Sequence, residues 1–293
     1  MERRTLFPHK WLPAALVLPQ LLLTFVFFLW PAGQAIVSSA TREDAFGIST
    51  QFVGLENFSD LFTDPLYVAT IERTVVFCVC VSLLSMGTAL LLAVFADREI
   101  HGRGFYRTML IWPYAVAPAM AAVLWVLMLH PQIGLLGGWL NRHGIPWDYK
   151  LNSFQAMLVV IMAAAWKQVS YNFIFFLAGL QSIPKTVIEA ARMDGSVGWY
   201  RFRSIVLPLL MPTVFFLLVV NLVYAAFDTF ATIYALTAGG PGQSTQTMVL
   251  KVYFDGVVNV NIGASAAQSV VLMAGVILFT ALQFRFMGRK SDA

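Results

Sequence analysis

The chain has 293 residues, 59% of them hydrophobic and only 12% charged. Soluble domains carry about a quarter charged residues, so this composition excludes an ordinary soluble fold and points to an integral membrane protein. The formal net charge of +4 does not indicate a nucleic-acid binder. The basic residues fall in short clusters between apolar runs, with no basic tract interleaved with aromatics.

Taken in chain order, the basic opening MERRTLFPHK is followed by an apolar run at 12–36. That run is too long for a signal-peptide core, and no clear cleavage site follows it. It reads as a retained first span. The second apolar run, 71–96, holds both cysteines, Cys78 and Cys80. At i and i+2 on a helix they point to different faces, so no disulfide between them is expected. The third, 106–130, contains Pro113 and Pro118. Proline removes a backbone hydrogen bond and kinks a helix, either for packing or beside a cavity. Runs at 154–180, 206–231 and 264–287 complete six stretches long enough to cross a bilayer. The expected fold class is all-α, a polytopic membrane protein with six transmembrane helices.

The basic residues orient these spans. Thirteen of the nineteen Lys and Arg residues lie at the N-terminus (Arg3, Arg4, Lys10), after span two (Arg98, Arg103, Arg107), after span four (Lys185, Arg192, Arg201, Arg203) and at the C-terminus (Arg285, Arg289, Lys290). The opposite loops hold Arg42, Arg73, Arg142, Lys150 and Lys251, and Lys167 lies inside span four. Cytoplasmic loops carry the positive excess, so both termini are expected inside. The chain divides into an N-terminal part at 1–66, a five-span core at 67–287 with a cytoplasmic loop at 181–205, and a tail at 288–293. His9, His101, His130 and His143 are scattered. They form no catalytic or metal set and read as ordinary loop or interface residues.

One cytoplasmic stretch, EAARMDGSVGWYRFRSIVLP (189–208), is polar among apolar neighbours. Pro184 suits a helix start, and Val187, Ile188, Ala190 and Ala191 give a short helix with a small apolar side. Asp194-Gly195 stops it, since glycine readily takes the left-handed conformation. A second helical stretch carries Phe202, Ile205 and Val206 to Pro208. Such an element, tied to spans at both ends, suits docking into a partner's groove.

The spacing of this stretch resembles the cytoplasmic loop of bacterial ABC importer permeases: EAA, two residues, DGA, five residues, F, two residues, I, one residue, LP. Glu189, Ala190, Ala191, Asp194, Gly195, Phe202, Ile205, Leu207 and Pro208 match, and Ser196 stands where the family has alanine. The segments FVGLENFSDLF (52–62), LQSIPKTVIEAARMDG (180–195) and LTAGGPGQSTQT (236–247) are similar to the carbohydrate branch. WKQVSYNFIFF (166–176) and LLVVNLVYAAFDTF (217–230) resemble the permeases of sn-glycerol-3-phosphate importers within it. The resemblance covers nearly the whole chain, the loop around 131–153 being the least telling.

It implies the type I permease fold, with the loop as a coupling helix seated on an ATPase. It also implies a second homologous permease, an ATPase homodimer and a periplasmic solute-binding protein. Transport of sn-glycerol-3-phosphate, with glycerophosphodiesters or another sugar or polyol as alternatives, would follow by alternating access. The chain has no G-x-x-x-x-G-K-[ST] phosphate loop and no LSGGQ signature. It is expected to bind no cofactor, with ATP-Mg held by the partner, and to catalyse no bond change.

Inside the membrane, Lys167 sits midway along span four. A lysine there costs about 2.5–3.5 kcal/mol on insertion scales. Gln168, Tyr171 and Asn172 join it at helical spacing, and Asn221, Tyr224 and Asp228 lie along span five. These seven could line a pathway, with Lys167 attracting an anionic phosphate; a structural Lys167–Asp228 ion pair is the other reading. Gly239-Gly240-Pro241 reads as a turn, an outer gate or a binding-protein contact. A secondary transporter would share the intramembrane polar residues but would not need the docking loop. A membrane enzyme would need a convergent catalytic set, which the chain does not show.

Overall fold

The computed structural model describes residues 11–43, 49–97 and 103–291. Arg3, Arg4, Lys10, Arg98 and the last two residues of the tail lie outside the described residues.

The packing forms two units, divided at Asp64, with Val252–Val271 grouped with the N-terminal part. In that unit α1 (Trp11–Thr24) runs through a π-helical turn (Phe25–Leu29) into α2 (Trp30–Ser39). A short hairpin follows, β1 (Thr41–Glu43) antiparallel to β2 (Thr50–Phe52), with Thr41 opposite Phe52. α3 (Glu56–Thr63) closes the segment. Asn57, almost fully buried, ties α3 back by donating from Nδ2 to Ser39 O and Thr41 O, both at 2.9 Å. Gly263 faces the same Thr41 carbonyl so closely that no Cβ would fit. This contact brings residues two hundred positions apart into one unit, a grouping that sequence order does not suggest.

The larger unit begins with α4 (Pro65–Ala96) and is built on its packing against α8 (Ser153–Ser182). Phe77, Val81, Ser85, Ala89 and Ala93 recur every four residues along one face of α4 and are all fully buried. Residues four apart share a helix face, and small residues there let backbones approach closely, which substitutes in lipid for the missing hydrophobic drive. Phe173, Phe176 and Leu177 of α8 and Leu217 of α11 (Leu207–Val223) fill the same core. Near the end of α8, Gly179 brings α11 close: a Cβ there would lie 3.0 Å from Leu210 Cδ2 and Thr213 Oγ1.

Among the described residues, five helices are long and apolar enough to cross a membrane: Pro13–Ser39, Pro65–Ala96, Ser153–Ser182, Gly198–Asp228 and Ile262–Arg285. The third expected span is different. It consists of α5 (Arg103–Ala115) and α6 (Pro118–Leu129), bent by 103° at their junction. Pro118 has no N–H to continue the ladder and drives Ala117 out of the helical region, to ψ 140°. Counted as one broken span, the pair gives the six that the apolar runs imply.

Beyond α6 lie α7 (Leu135–Arg142) and, after α8, α9 (Lys185–Met193) and α10 (Gly198–Arg201). α11 continues through a π-helical turn (Tyr224–Asp228) into α12 (Phe230–Thr237). The Gly239-Gly240-Pro241 segment follows as a tightly bonded turn. Thr245 N–H donates to Gly239 O at 3.1 Å and Thr245 Oγ1 to Gly240 O at 3.0 Å. α13 (Met248–Tyr253) and the long α14 (Ile262–Ser291) complete the described elements, all of them helical apart from the hairpin.

Candidate functional site

The loop between α8 and α11 is shaped by two glycines. α9 starts after Pro184, which serves as its N-cap, and ends at Asp194, where Gly195 takes φ +74°. The Gly195 N–H then donates to Arg192 O (3.1 Å) and the Ser196 N–H to Ala191 O (2.9 Å). These paired bonds satisfy carbonyls that a helix end leaves open. Nothing lies within 4 Å of where a Gly195 Cβ would stand, so only the backbone conformation calls for glycine there. Gly198, at φ +55°, sets off α10, which passes through a π-helical turn (Phe202–Val206) straight into α11. Pro208 occupies the first turn of α11.

The matched residues divide by burial. Ala191 is buried, as is Ser196 at the position that departs from the family pattern. Phe202, Ile205 and Leu207 are half-buried, while Glu189, Ala190, Asp194, Gly195 and Pro208 are exposed. Ala191 and Ser196 meet each other within the loop through the Ser196 N–H and Ala191 O, and the exposed set lies on its surface. Beside it stand four apolar side chains that the motif does not include. Met193 is 89% exposed, Val197 71%, Trp199 72% and Tyr200 70%. Trp199 stacks on Phe202 with ring centroids 5.4 Å apart, which fixes its orientation. These four large apolar groups stand exposed on one short loop. The visible signal was the aromatic pair Trp199-Tyr200 set among charges.

The intramembrane residues separate into two groups. Asn172 and Asn221 are fully buried and clasp each other. Asn172 Nδ2 donates to Asn221 Oδ1 at 3.0 Å, and Asn221 Nδ2 donates to Asn172 Oδ1 at 2.7 Å. Ser85 of α4 joins them, donating to Asn221 Oδ1 at 2.8 Å and accepting from Asn172 Nδ2 at 3.1 Å. Asn221 Nδ2 also reaches Leu217 O at 2.7 Å. Every polar atom of this three-helix knot is engaged, which is what hydrocarbon surroundings demand. Tyr224 likewise spends its hydroxyl on the chain, donating to Ala164 O at 3.2 Å.

Lys167 belongs to the second group. It is half-buried and, among the described residues, has no carboxylate oxygen within 4.0 Å. Asp228 is its charged neighbour, near enough to act electrostatically, and is itself exposed. Asp228 closes the π-helical turn at Tyr224–Asp228. Such turns are rare and gather at functional positions. Gln168 is buried beside Lys167. Tyr171 packs its ring against Tyr114 of α5 (5.9 Å) and Phe175 (4.8 Å), and Phe175 against Phe216 of α11 (5.2 Å). The arrangement offers one unpaired ammonium beside an aromatic wall at mid-helix.

Long apolar helices, one of them broken, make this a membrane-spanning chain. The chain belongs to the family of binding-protein-dependent transport system inner membrane components, whose model matches residues 85–291. It is similar over its whole length to permease subunits from several bacteria. It is 59% identical to the sn-glycerol-3-phosphate transport system permease protein UgpA of Agrobacterium fabrum, with 97% of each chain covered. It is 58% identical to that of Brucella suis, with 98% of each covered, and 51% identical to that of Yersinia pseudotuberculosis, with 97% of each covered. Among solved structures, a chain of the bacterial alginate ABC transporter in complex with an alginate pentasaccharide-bound periplasmic protein superposes with TM-score 0.83. The two are 21% identical, over 97% of this chain and 96% of that one. At that identity the likeness speaks for the fold.

Proposed function

We propose that this chain is the permease subunit of an ATP-driven importer that moves sn-glycerol-3-phosphate inward across the bacterial inner membrane by alternating access. The observation that carries the reading is the full-length likeness to permeases named for that substrate. The docking loop and the unpaired intramembrane Lys167 are consistent with it. Residues 189–208, with the exposed side chains of Met193, Val197, Trp199 and Tyr200, form the contact for an ATPase homodimer that holds ATP-Mg. A second, homologous permease completes the membrane passage, and a periplasmic binding protein delivers the substrate. This chain binds no nucleotide and performs no bond chemistry. Its work is to convert closure of the ATPase pair into a change of which side the pathway faces. Proteoliposomes holding the complete complex should accumulate labelled sn-glycerol-3-phosphate only with internal ATP-Mg and the binding protein outside. Accumulation without ATP would point to a secondary transporter instead.

The positive excess supports a cytoplasmic position for both termini and the docking loop. In a background lacking Cys78 and Cys80, a cysteine at Ser59 or Leu151, both exposed, should react with an impermeant thiol reagent added to intact spheroplasts. A cysteine at Met193 should react only after the membrane is permeabilised. Labelling of the Met193 position from outside would invert the topology and remove the docking argument.

A further inference from the structure

One cavity among the described residues lies away from both groups just described. It has a volume of about 750 Å³ and is walled by the segment from His130 to Gln155. That is within the size range of small-molecule sites. The wall is rigid because its amides bond to the loop itself. Asn141 Nδ2 donates to Pro131 O and Trp147 O, both at 2.9 Å, and Asn141 Oδ1 accepts the Trp147 N–H at 2.7 Å. Gln155 Oε1 accepts the Asp148 N–H at 2.7 Å, and its Nε2 donates to Pro146 O at 2.9 Å. With these groups used internally, the side chains left to meet a ligand are chiefly His130, Lys150 and Asp148.

His130 and Lys150 stand in an arrangement short of acceptors. Nδ1 of His130 faces two backbone donors, the N–H groups of Gln132 (3.3 Å) and Ile133 (3.5 Å). A neutral imidazole that accepts at Nδ1 carries its proton on Nε2. In that tautomer the Nε2–H faces Lys150 Nζ at 3.1 Å; with the proton on Nδ1, Nε2 accepts from the ammonium instead. An ammonium has three donors and no acceptor, so His130 meets at most one of them and the others have no acceptor among the described residues. Among the described residues no carboxylate oxygen lies within 4.0 Å of Lys150. An oxyanion placed against both groups would accept from each.

Asp148 narrows the choice of anion. Its Oδ1 accepts the Lys150 backbone N–H at 3.0 Å, and its carboxylate lines the same cavity. A bare anion would be repelled by that charge. A molecule with an anionic end and hydroxyl groups would satisfy Lys150 and His130 at one end and donate to Asp148 at the other. A second, smaller cavity of about 290 Å³ adjoins through Lys150. Tyr149 lines it, 1% exposed, with a hydroxyl that has no partner among the described residues. A buried, unpartnered hydroxyl marks a place where a polar ligand or water belongs.

We propose that His130, Lys150 and Asp148 form a binding site for a hydroxylated phosphate monoester, on the face of the membrane from which substrate arrives. It is a waypoint separate from Lys167. The inference rests on the transport reading for the identity of the ligand and for the side of the membrane.

The test is protection of Lys150 from an amine-acylating reagent, read by peptide mass spectrometry, on the complete nucleotide-free complex in nanodiscs. At sn-glycerol-3-phosphate about ten times its Kd, acylation of Lys150 should slow about tenfold, because the unoccupied fraction falls to about a tenth. Glycerol should give no protection, and inorganic phosphate should protect more weakly. In His130→Gln the protection should drop several-fold. Unchanged acylation of the wild-type complex, or equal protection by glycerol, would overturn the site. So would a protection that His130→Gln leaves intact. Uptake of the same compound is measured separately. Uptake without protection removes the waypoint and leaves the transport reading, and protection without uptake does the reverse.

Discussion

In a Gly195→Val permease, association with the ATPase is expected to fall about tenfold while the membrane helices still insert. Gly195 holds φ +74° with open space where a Cβ would go, so valine meets no neighbour. The penalty is conformational: about 1–2 kcal/mol for an L-residue in the left-handed region, increased by a branched Cβ. About 1.4 kcal/mol corresponds to tenfold in an equilibrium constant. If the loop escapes the strain, it gives up the paired bonds from Gly195 and Ser196 to Arg192 and Ala191, and the docking face loses its shape. Asparagine tolerates this conformation better than most residues, so Gly195→Asn should fall between. Co-purification of the ATPase and uptake by the reconstituted complex are the measurements. Wild-type values of both in the valine variant would show that the helix stop is not needed for coupling.

Lys167→Met should lower uptake of sn-glycerol-3-phosphate by about tenfold or more with assembly preserved. A phosphate that enters a cavity of low polarity loses hydration, and an ammonium nearby offsets part of that cost. At an effective dielectric constant of about 20 the attraction is about 4 kcal/mol at 4 Å, so even a third of it accounts for tenfold. Methionine keeps the length and removes a charge that is costly to insert, so complex yield should hold or rise. The rival role, a structural ion pair with Asp228, makes a different forecast. There Lys167→Met strands Asp228, and Asp228→Asn in the same chain rescues it. The absence of a carboxylate within 4.0 Å of Lys167 among the described residues argues for the first role. Full recovery of uptake in the double variant would decide for the second.

What was legible in the sequence follows from the range over which each rule acts. The stop at Asp194-Gly195 is a local rule, and the observed φ and hydrogen bonds agree with it. The six apolar runs likewise need only length and composition. Pro113 and Pro118 announced a bend but not one of 103°, because the angle depends on what packs against each half. The polar residues of spans four and five are harder. Helical spacing put Asn221, Tyr224 and Asp228 along one face, but the π-helical turn at Tyr224–Asp228 inserts extra backbone and changes which residues share a side. A buried asparagine can line a pathway or bind another helix, and the two cannot be told apart until its partner is seen. Asn172 and Asn221 are 49 positions apart, and no local pattern joins them. His130 and Lys150 read as an ordinary loop histidine and a topology marker, since only the folded loop brings Nε2 and Nζ to 3.1 Å.

The Ser85–Asn172–Asn221 knot also bears on how the chain is made. Its bonds close across 136 residues, and ribosomes deliver those residues in order. When α8 emerges into lipid, Asn172 can reach Ser85, but the oxygen of its amide waits for a helix not yet synthesised. An unmet amide in hydrocarbon is unfavourable, so the early helices form an unfinished product until α11 arrives. Completion of the knot therefore records that translation has passed Asn221, and a permease cut short before that point leaves the Asn172 amide oxygen without the Asn221 donor it has in the full chain.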